Sequence, residues 1–123
     1  MTYDHENIFA KILRGEIPCN KIYEDDFALA FHDINPQAPV HALVIPKGDY
    51  VSMADFTAHA PDALITGYMR AVGKVAETLG LKEGGYRTLA NAGAHAHQEV
   101  PHLHIHIMGG RPLGPMLDRD FSA

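Results

Sequence analysis

Tryptophan is absent from this 123-residue chain, and cysteine occurs only once, at Cys19. A single cysteine cannot form an intrachain disulfide, and it excludes a zinc site built on several cysteines. The chain also lacks an apolar run of about 18 residues, the length that a membrane-spanning helix requires. Its first residues, 1–20, are too charged for a signal peptide. We therefore expect a protein of the reducing cytoplasm without a membrane partner.

Positive charge is also scarce, with 10 Lys and Arg residues against 15 Asp and Glu and a formal net charge of −5. This balance argues against a nucleic-acid partner, because such binders usually carry a basic face. The same balance does not argue against binding of a small nucleotide, which needs only a local group of hydrogen-bond donors. The length predicts one domain over residues 1–123, and the 46% hydrophobic and 20% charged content is that of a folded protein.

Periodicity predicts two helices and five strands. Apolar residues spaced by three and four mark one short and one long helix, each followed by a glycine. The helices are predicted at Ile8–Arg14 and Pro61–Leu79, and the strands at Lys21–Glu24, Phe27–His32, His41–Ile45, Tyr86–Asn91 and His102–Met108. Short connections favour an α+β domain with an antiparallel sheet of about five strands. Residues 109–123 are predicted to form an irregular C-terminal tail.

Histidine is the residue that stands out, with nine copies, five of them between His95 and His106. On a strand, His102, His104 and His106 (hereafter the triad) share one face, while the apolar residues between them share the other. Ordinary core packing explains a lone histidine well. It explains a row of three poorly, because polar rings buried without partners are costly.

Two kinds of chemistry fit such a row. In the first, His-X-His supplies two zinc ligands, and His95 or His97 in the preceding loop supplies a third. In the second, a neutral imidazole acts as a nucleophile while its neighbours donate hydrogen bonds and protons. Asn91, Gly93 and Gln98 favour the second, since side-chain amides and glycine-turn N–H groups are neutral donors that suit phosphoryl oxygens.

The pattern His-φ-His-φ-His-φ-φ, preceded by Asn-x-Gly and Gln, resembles the histidine-triad (HIT) superfamily, and within it the Hint branch of nucleoside phosphoramidate hydrolases. Further blocks in the same order extend the resemblance over nearly the whole chain. These blocks are residues 8–12, 16–18, 24–26, 30–41, 44–47 and 109–111. The resemblance implies a HIT-like fold and a homodimer in which two sheets join.

The resemblance also implies a role for each histidine. His104 would attack the α-phosphorus and form a nucleotidyl–histidine intermediate. His106 would donate to the phosphoryl and leaving groups, His102 would orient His104, and His41 would support this arrangement from the adjacent strand. No cofactor and no metal are expected in this reaction.

The nucleotide-binding residues follow from the same resemblance. Asn91 and Gln98 would lie around the phosphate, and Asp33, next to His32 in the pocket segment, would hold the ribose hydroxyls. The residues that would form the wall around the purine are Ile8, Phe9, Ile12, Phe31 and Ile34. For these apolar side chains, ordinary core packing is an equally good explanation.

Three positions depart from the Hint pattern. Glu99 stands where many members have a small hydroxyl residue, and its carboxylate would either attract an amine leaving group or turn to solvent. His97 stands where glycine is usual. The segment Arg111–Leu117, close to the end of the printed sequence, lacks a tryptophan that some members have near the site.

The function expected from these residues is hydrolysis of purine nucleoside 5′-phosphoramidates by two displacements at phosphorus. One alternative is a dinucleoside polyphosphate hydrolase or nucleotidyltransferase of the same superfamily. Another is a nucleotide-binding protein without catalysis, although all three triad histidines are present.

Overall fold

A computed structural model describes residues 2–117 and shows three α-helices and five β-strands. The helices are α1 (Ile8–Leu13), α2 (Met53–His59) and α3 (Asp62–Thr78), with a 3-10 turn at Ala94–Ala96. The strands are β1 (Lys21–Glu24), β2 (Ala28–His32), β3 (Val40–Pro46), β4 (Tyr86–Leu89) and β5 (Ile105–Gly109). The predicted α+β class with a five-stranded sheet is confirmed. Of the predicted tail, Gly109 belongs to β5 instead, residues 110–117 form neither helix nor strand, and 118–123 lie outside the described residues.

All strand pairs are antiparallel, and the strands lie in the order β1-β2-β3-β5-β4. Between β3 and β5, Leu43 pairs with His106 and Ala42 pairs with Ile107. Because side chains alternate along a strand, Leu43 and His106 share one face of the sheet, and Ala42 and Ile107 share the other. The sheet therefore has a face that carries histidine and a face that carries only apolar residues at these positions.

The long helix α3 packs on the apolar face. Ala28, Ala30 and Ala42 are fully buried there, and their small side chains let the helix approach the sheet closely. Tyr68 of α3 is also fully buried, and its hydroxyl donates to the carbonyl of Val44 at 2.7 Å. That bond satisfies the polar end of a ring that otherwise lies among hydrocarbon.

The short helix α1 packs on the opposite face. Asn7 begins it, because the Asn7 Oδ1 accepts from the backbone N–H of Ala10 at 2.9 Å. Phe9 from this helix joins a second buried cluster with residues of β2 and β3, whose other members are Leu29, Phe31, Leu43 and Ile45. The helix therefore lies beside the part of the sheet that carries His106.

The last strand begins later than predicted: it starts at Ile105, not at His102. Continuing the register places Pro46 opposite Leu103, and proline has no backbone N–H to give the ladder. The N–H of Leu103 donates instead to the carbonyl of Tyr50 at 2.7 Å. His102 and His104 therefore precede the paired residues of β5. Leu103 still faces the core under α3, and the His104 ring still lies beside Phe9 of α1.

Helix α2 is absent from the sequence prediction. Its start has a recognisable cap, in which Ser52 Oγ accepts from the N–H of Asp55, and Asp55 Oδ2 accepts from the N–H of Val51. Only Phe56 is buried among its seven residues, so no apolar stripe marks it. None of the described helices is long and apolar enough to cross a membrane.

Candidate active site

The triad lies on the α1 face of the sheet, at the start of β5. The ring centroids of His102 and His104 lie 6.4 Å and 4.9 Å from that of Phe9. The rings of His104 and His106 are 5.0 Å apart. The residues that alternate with the histidines, Leu103, Ile105 and Ile107, belong to the cluster under α3. The predicted division of this segment into a histidine face and an apolar face is thus confirmed.

His104 is held by a backbone carbonyl. Its Nδ1 lies 2.7 Å from the carbonyl oxygen of His102. A carbonyl oxygen only accepts hydrogen bonds, so Nδ1 carries the proton and Nε2 keeps its lone pair. Burial lowers the pKa of His104, and the residue is 7% exposed. A neutral imidazole with an unprotonated Nε2 is a competent nucleophile near neutral pH.

His102 has a hydrogen-bond partner at each ring nitrogen. Its Nδ1 lies 2.5 Å from the hydroxyl of Tyr3, and its Nε2 lies 3.2 Å from the carbonyl of Pro46. The ring is fully buried, and burial lowers the pKa of His102 to about 4. The neutral ring donates from Nε2 to Pro46 and accepts at Nδ1 from Tyr3. His102 therefore holds His104 through a hydrogen bond that the His102 backbone carbonyl, and not its ring, accepts.

His41 and His106 form a directed pair. The backbone N–H of Gln37 donates to His41 Nδ1 at 3.0 Å, so the His41 proton lies on Nε2. This Nε2 is 2.9 Å from His106 Nδ1, which must accept, and 3.4 Å from Asp33 Oδ2. The proton of His106 is thereby placed on its own Nε2, an atom that is buried and has no partner within residues 2–117. Burial, with His104 and His41 as neighbours, lowers the pKa of His106 to about 4.

Two adjoining cavities meet at these rings. One of about 260 Å³ is lined by polar residues, and one of about 280 Å³ extends between α1 and β2 and is mainly apolar. Five residues line both cavities: Asp33, Asn35, Glu99, His104 and His106. The rings of His104 and His106 thus lie where a ligand with a polar and an apolar part would span both spaces.

All residues predicted for the purine wall line the apolar cavity, namely Ile8, Phe9, Ile12, Phe31 and Ile34. Phe9 and Phe31 are nearly buried and also belong to the core, whereas Ile34 is 86% exposed. His32 and Asp33 line the same cavity. Phe9 and Phe31 therefore pack in the core and also form part of the cavity wall.

The two amide residues predicted around the phosphate have different positions. Asn91 lines the polar cavity, but Gln98 lines neither cavity. Gln98 Oε1 accepts from the N–H of Gly93 at 3.0 Å, and its Nε2 donates to the carbonyls of Val51 at 2.8 Å and Val100 at 3.1 Å. The Gln98 side chain holds the loop before the triad in shape.

Glu99 and His97 lie together at the rim of the polar cavity. Their side chains are 76% and 88% exposed, and His97 Nε2 is 3.1 Å from Glu99 Oε1. His97 has a φ of 56°, in the left-handed region. Glycine adopts this region without strain, which gives a physical reason for the usual glycine at this position of the Hint pattern.

Several residues around the site were missed by the sequence prediction. Asn35 and Gln37 belong to the block at residues 30–41 that carries the family resemblance, so their position in that loop was the available signal. Tyr3 carries no sequence signal of its own, because a lone tyrosine near a chain end fits many roles. Cys19 lines the apolar cavity, and burial raises the pKa of its thiol.

The triad does not have the geometry of a three-histidine zinc site. Both ring nitrogens of His102 are engaged by protein groups, and His104 Nδ1 is engaged by a carbonyl. Within residues 2–117, the ligand atoms that lie near one another belong to Asp33, His41 and His106. In that group, His41 Nε2 and His106 Nδ1 are hydrogen-bonded to each other. The arrangement as it stands favours imidazole chemistry over metal binding.

Comparison with known proteins places this site in a family. The family model described as the HIT domain matches residues 14–113, which is most of the chain. This chain belongs to the HIT family. The triad, His41 and the loop at residues 91–99 all lie within the matched residues.

HIT family relatives match nearly the whole chain. An uncharacterised 13.2 kDa HIT-like protein of Azospirillum brasilense is 64% identical over 118 residues, which are 96% of this chain and 97% of that protein. The purine nucleoside phosphoramidase of Escherichia coli K12 is 50% identical over 113 residues, covering 91% of this chain and 93% of the enzyme. A solved HIT family hydrolase from Clostridium thermocellum is 41% identical with a TM-score of 0.82, covering 91% of this chain and 96% of that one.

Proposed function

We propose that this HIT family protein hydrolyses purine nucleoside 5′-phosphoramidates to a nucleoside monophosphate and an amine. The observation that carries the proposal is the tautomer of His104, which leaves its Nε2 lone pair free where a polar and an apolar cavity meet. The 50% identical purine nucleoside phosphoramidase of Escherichia coli supports the choice of substrate class. The apolar cavity lined by Phe9 and Phe31 suits an aromatic base.

In the first displacement, the Nε2 lone pair of His104 forms a bond to the α-phosphorus as the P–N bond breaks. The leaving nitrogen keeps the electron pair of that bond and departs as the amine, with one proton taken up from solvent. The N–H at Nε2 of His106 donates to the phosphoryl group or to the departing nitrogen. Neutral donors in a site shielded from water stabilise the charge that develops there.

In the second displacement, water attacks the phosphorus of the nucleotidyl–histidine intermediate. His104 leaves as a neutral imidazole, and the water returns one proton to solvent as the monophosphate forms. Two displacements split one difficult substitution into two easier steps. The carbonyl of His102 holds the His104 ring in place through both steps, because its hydrogen bond to Nδ1 is independent of the reacting nitrogen.

The charges around the site favour an amine over a polyphosphate as the leaving group. Asp33 and Glu99 line both cavities, and neither lining includes a lysine or arginine from residues 2–117. A departing polyphosphate would place several negative charges near two carboxylates, whereas an amine adds none and becomes a cation when protonated. This observation favours the phosphoramidate over a dinucleoside polyphosphate.

The nucleophile is tested by His104→Ala. We expect this variant to lose turnover of a purine nucleoside 5′-phosphoramidate and to keep affinity for the nucleoside monophosphate. The measurement is amine release together with calorimetric titration of the monophosphate. His59→Ala, at an exposed position on α2, is the matched control and should keep full activity. Turnover retained in His104→Ala would overturn the nucleophile assignment.

The metal alternative is tested by chelation. Activity should be unchanged after dialysis against EDTA, since imidazole nitrogens and neutral donors complete the proposed chemistry. A loss of activity that added zinc restores would favour metal catalysis instead.

A further inference from the structure

We infer that Tyr3 is a positioning residue for the triad, whose phenol hydroxyl fixes the ring of His102 and, through the His102 carbonyl, the nucleophilic ring of His104. The kinetic part of its test rests on the proposed function, whereas the hydrogen-bond geometry does not.

The hydroxyl of Tyr3 lies between a donor and an acceptor. Asn7 Nδ2 donates to it at 2.8 Å, and His102 Nδ1 lies 2.5 Å away on the other side. Burial raises the pKa of Tyr3, so the phenol keeps its proton. With the Asn7 amide directed at the oxygen, that proton points to His102 Nδ1. The ring of His102 must then carry its own proton on Nε2, facing the carbonyl of Pro46 at 3.2 Å.

The other end of this arrangement is fixed by Asn7. Its Oδ1 caps α1 by accepting from the N–H of Ala10, and its Nδ2 also donates to the carbonyl of Asp4 at 2.7 Å. Asn7 is 6% exposed, so these bonds have little competition from water. A continuous set of hydrogen bonds therefore runs from the start of α1 through Tyr3 to the triad.

This link to the triad starts outside the part of the chain that defines the family. The HIT domain match covers residues 14–113, and both Tyr3 and Asn7 precede it. The buried His102 ring needs an acceptor for Nε2–H and a donor for Nδ1, because a buried nitrogen without a partner is costly. In this chain the donor comes from the N-terminal segment.

The first test is Tyr3→Phe, which keeps the ring and removes only the hydroxyl. We expect kcat for a purine nucleoside 5′-phosphoramidate to fall about fivefold, the factor for one neutral hydrogen bond, with KM changed less than about twofold. Tyr50→Phe is the matched control, because the Tyr50 hydroxyl has no hydrogen-bond partner within residues 2–117. An unchanged kcat in Tyr3→Phe would overturn the inference.

The second test separates positioning from support of the helix. Asn7→Asp and Asn7→Ser both keep a side-chain oxygen that caps α1. The aspartate, however, accepts the Tyr3 proton and draws it away from His102, whereas the serine leaves that proton free to donate. Asn7→Asp should therefore lose kcat as Tyr3→Phe does, and Asn7→Ser should keep most of it. Equal losses in the two Asn7 variants would show a purely structural role.

A third measurement does not depend on the reaction. In ¹⁵N spectra of the imidazole nitrogens, the His102 Nδ1 signal should move toward that of a nitrogen without a hydrogen bond in Tyr3→Phe and Asn7→Asp. The same signal should keep its wild-type position in Tyr50→Phe. If the wild-type protein cleaves no phosphoramidate, the proposed function fails while these spectra still decide the role of Tyr3. An unmoved His102 Nδ1 signal in Tyr3→Phe would refute the positioning role of Tyr3.

Discussion

At the scale of single residues, the candidate site combines uncharged imidazoles with charged surroundings. Burial lowers the pKa of His102 and His106 to about 4, so both are neutral at pH 7. The carboxylates of Asp33 and Glu99 border the same cavities. In the proposed reaction, substrate selection by charge would depend on these two acids, and Glu99 is the one whose side chain is largely exposed, at 76%.

Glu99→Gln removes one of these charges without changing the shape of the side chain. If Glu99 attracts a cationic leaving group, the rate ratio between lysine-like and neutral amine substrates should fall about threefold, as expected for one exposed charge at short range. The measurement is kcat/KM for the two substrates. Glu83→Gln, at an exposed position before β4, is the control. An unchanged ratio in Glu99→Gln would mean that the carboxylate only faces solvent.

The sequence revealed some residues of the site and left others hidden for physical reasons. The alternation of imidazole and apolar side chains depends only on strand geometry, so the positions of His104 and Ile105 followed from spacing alone. Tyr3 was hidden because its contact with His102 joins residues 99 positions apart. Gln98 was identified as a phosphate donor, but its amide is engaged by backbone groups that only the folded loop brings near.

At the scale of elements, α3 lies close to the turn that precedes β2. Gly67 faces the ring of Phe27 so closely that a Cβ there would lie 2.2 Å from Phe27 Cγ. Gly73 is in the same helix, and a Cβ there would meet nothing within 4 Å. The two glycines therefore offer a matched comparison between packing and intrinsic helix propensity.

Gly67→Ala should lower the free energy of unfolding by about 1–3 kcal/mol, because the added methyl forces Phe27 to move. Gly73→Ala should raise it by about 0.5–1 kcal/mol, because alanine favours a helix interior over glycine. Urea unfolding followed by circular dichroism measures both changes. The packing explanation would be wrong if both variants were stabilised equally.

Element prediction succeeded where a long periodic signal existed and failed where it did not. The helix at Asp62–Thr78 has a full apolar stripe, and it was predicted to within a few residues. The helix at Met53–His59 is short, buries only Phe56, and is defined mainly by its cap at Ser52. The late start of β5, at Ile105, depends on Pro46 in another strand. No local pattern in residues 102–104 could show this.

At the scale of the whole molecule, the buried histidines tie stability to pH. A histidine whose folded pKa lies below its unfolded value of about 6.5 stabilises the fold fully above that pH and loses this contribution as the pH falls. His102 and His106, both lowered to about 4, lose theirs between about pH 6.5 and pH 4. Glu24, whose pKa Lys21 and Lys47 lower to about 2, stabilises the fold above about pH 4.5 and loses this contribution as the pH falls from there to about 2.

The free energy of unfolding should therefore fall already between about pH 6.5 and pH 5, before the carboxylates titrate. Full protonation of His102 corresponds to a loss on the order of 3 kcal/mol. Urea titrations at several pH values measure this slope. His59→Asn, a variant at an exposed histidine, should keep this slope. Constant stability down to pH 5 would contradict the assignment of neutral buried rings.

The homodimer that the family resemblance implies stays a prediction, which light scattering would test.

The alternation of the triad with Leu103, Ile105 and Ile107 has a consequence for how this segment tolerates change. An insertion or deletion of one residue between His102 and His106 would reverse the facing of every side chain beyond it. Imidazoles would then enter the hydrocarbon under α3, and isoleucines would point toward the two cavities on the other face. Substitutions here can leave both faces in place, whereas a change in residue count cannot, because the spacing decides which side chains face the interior and which face the cavities.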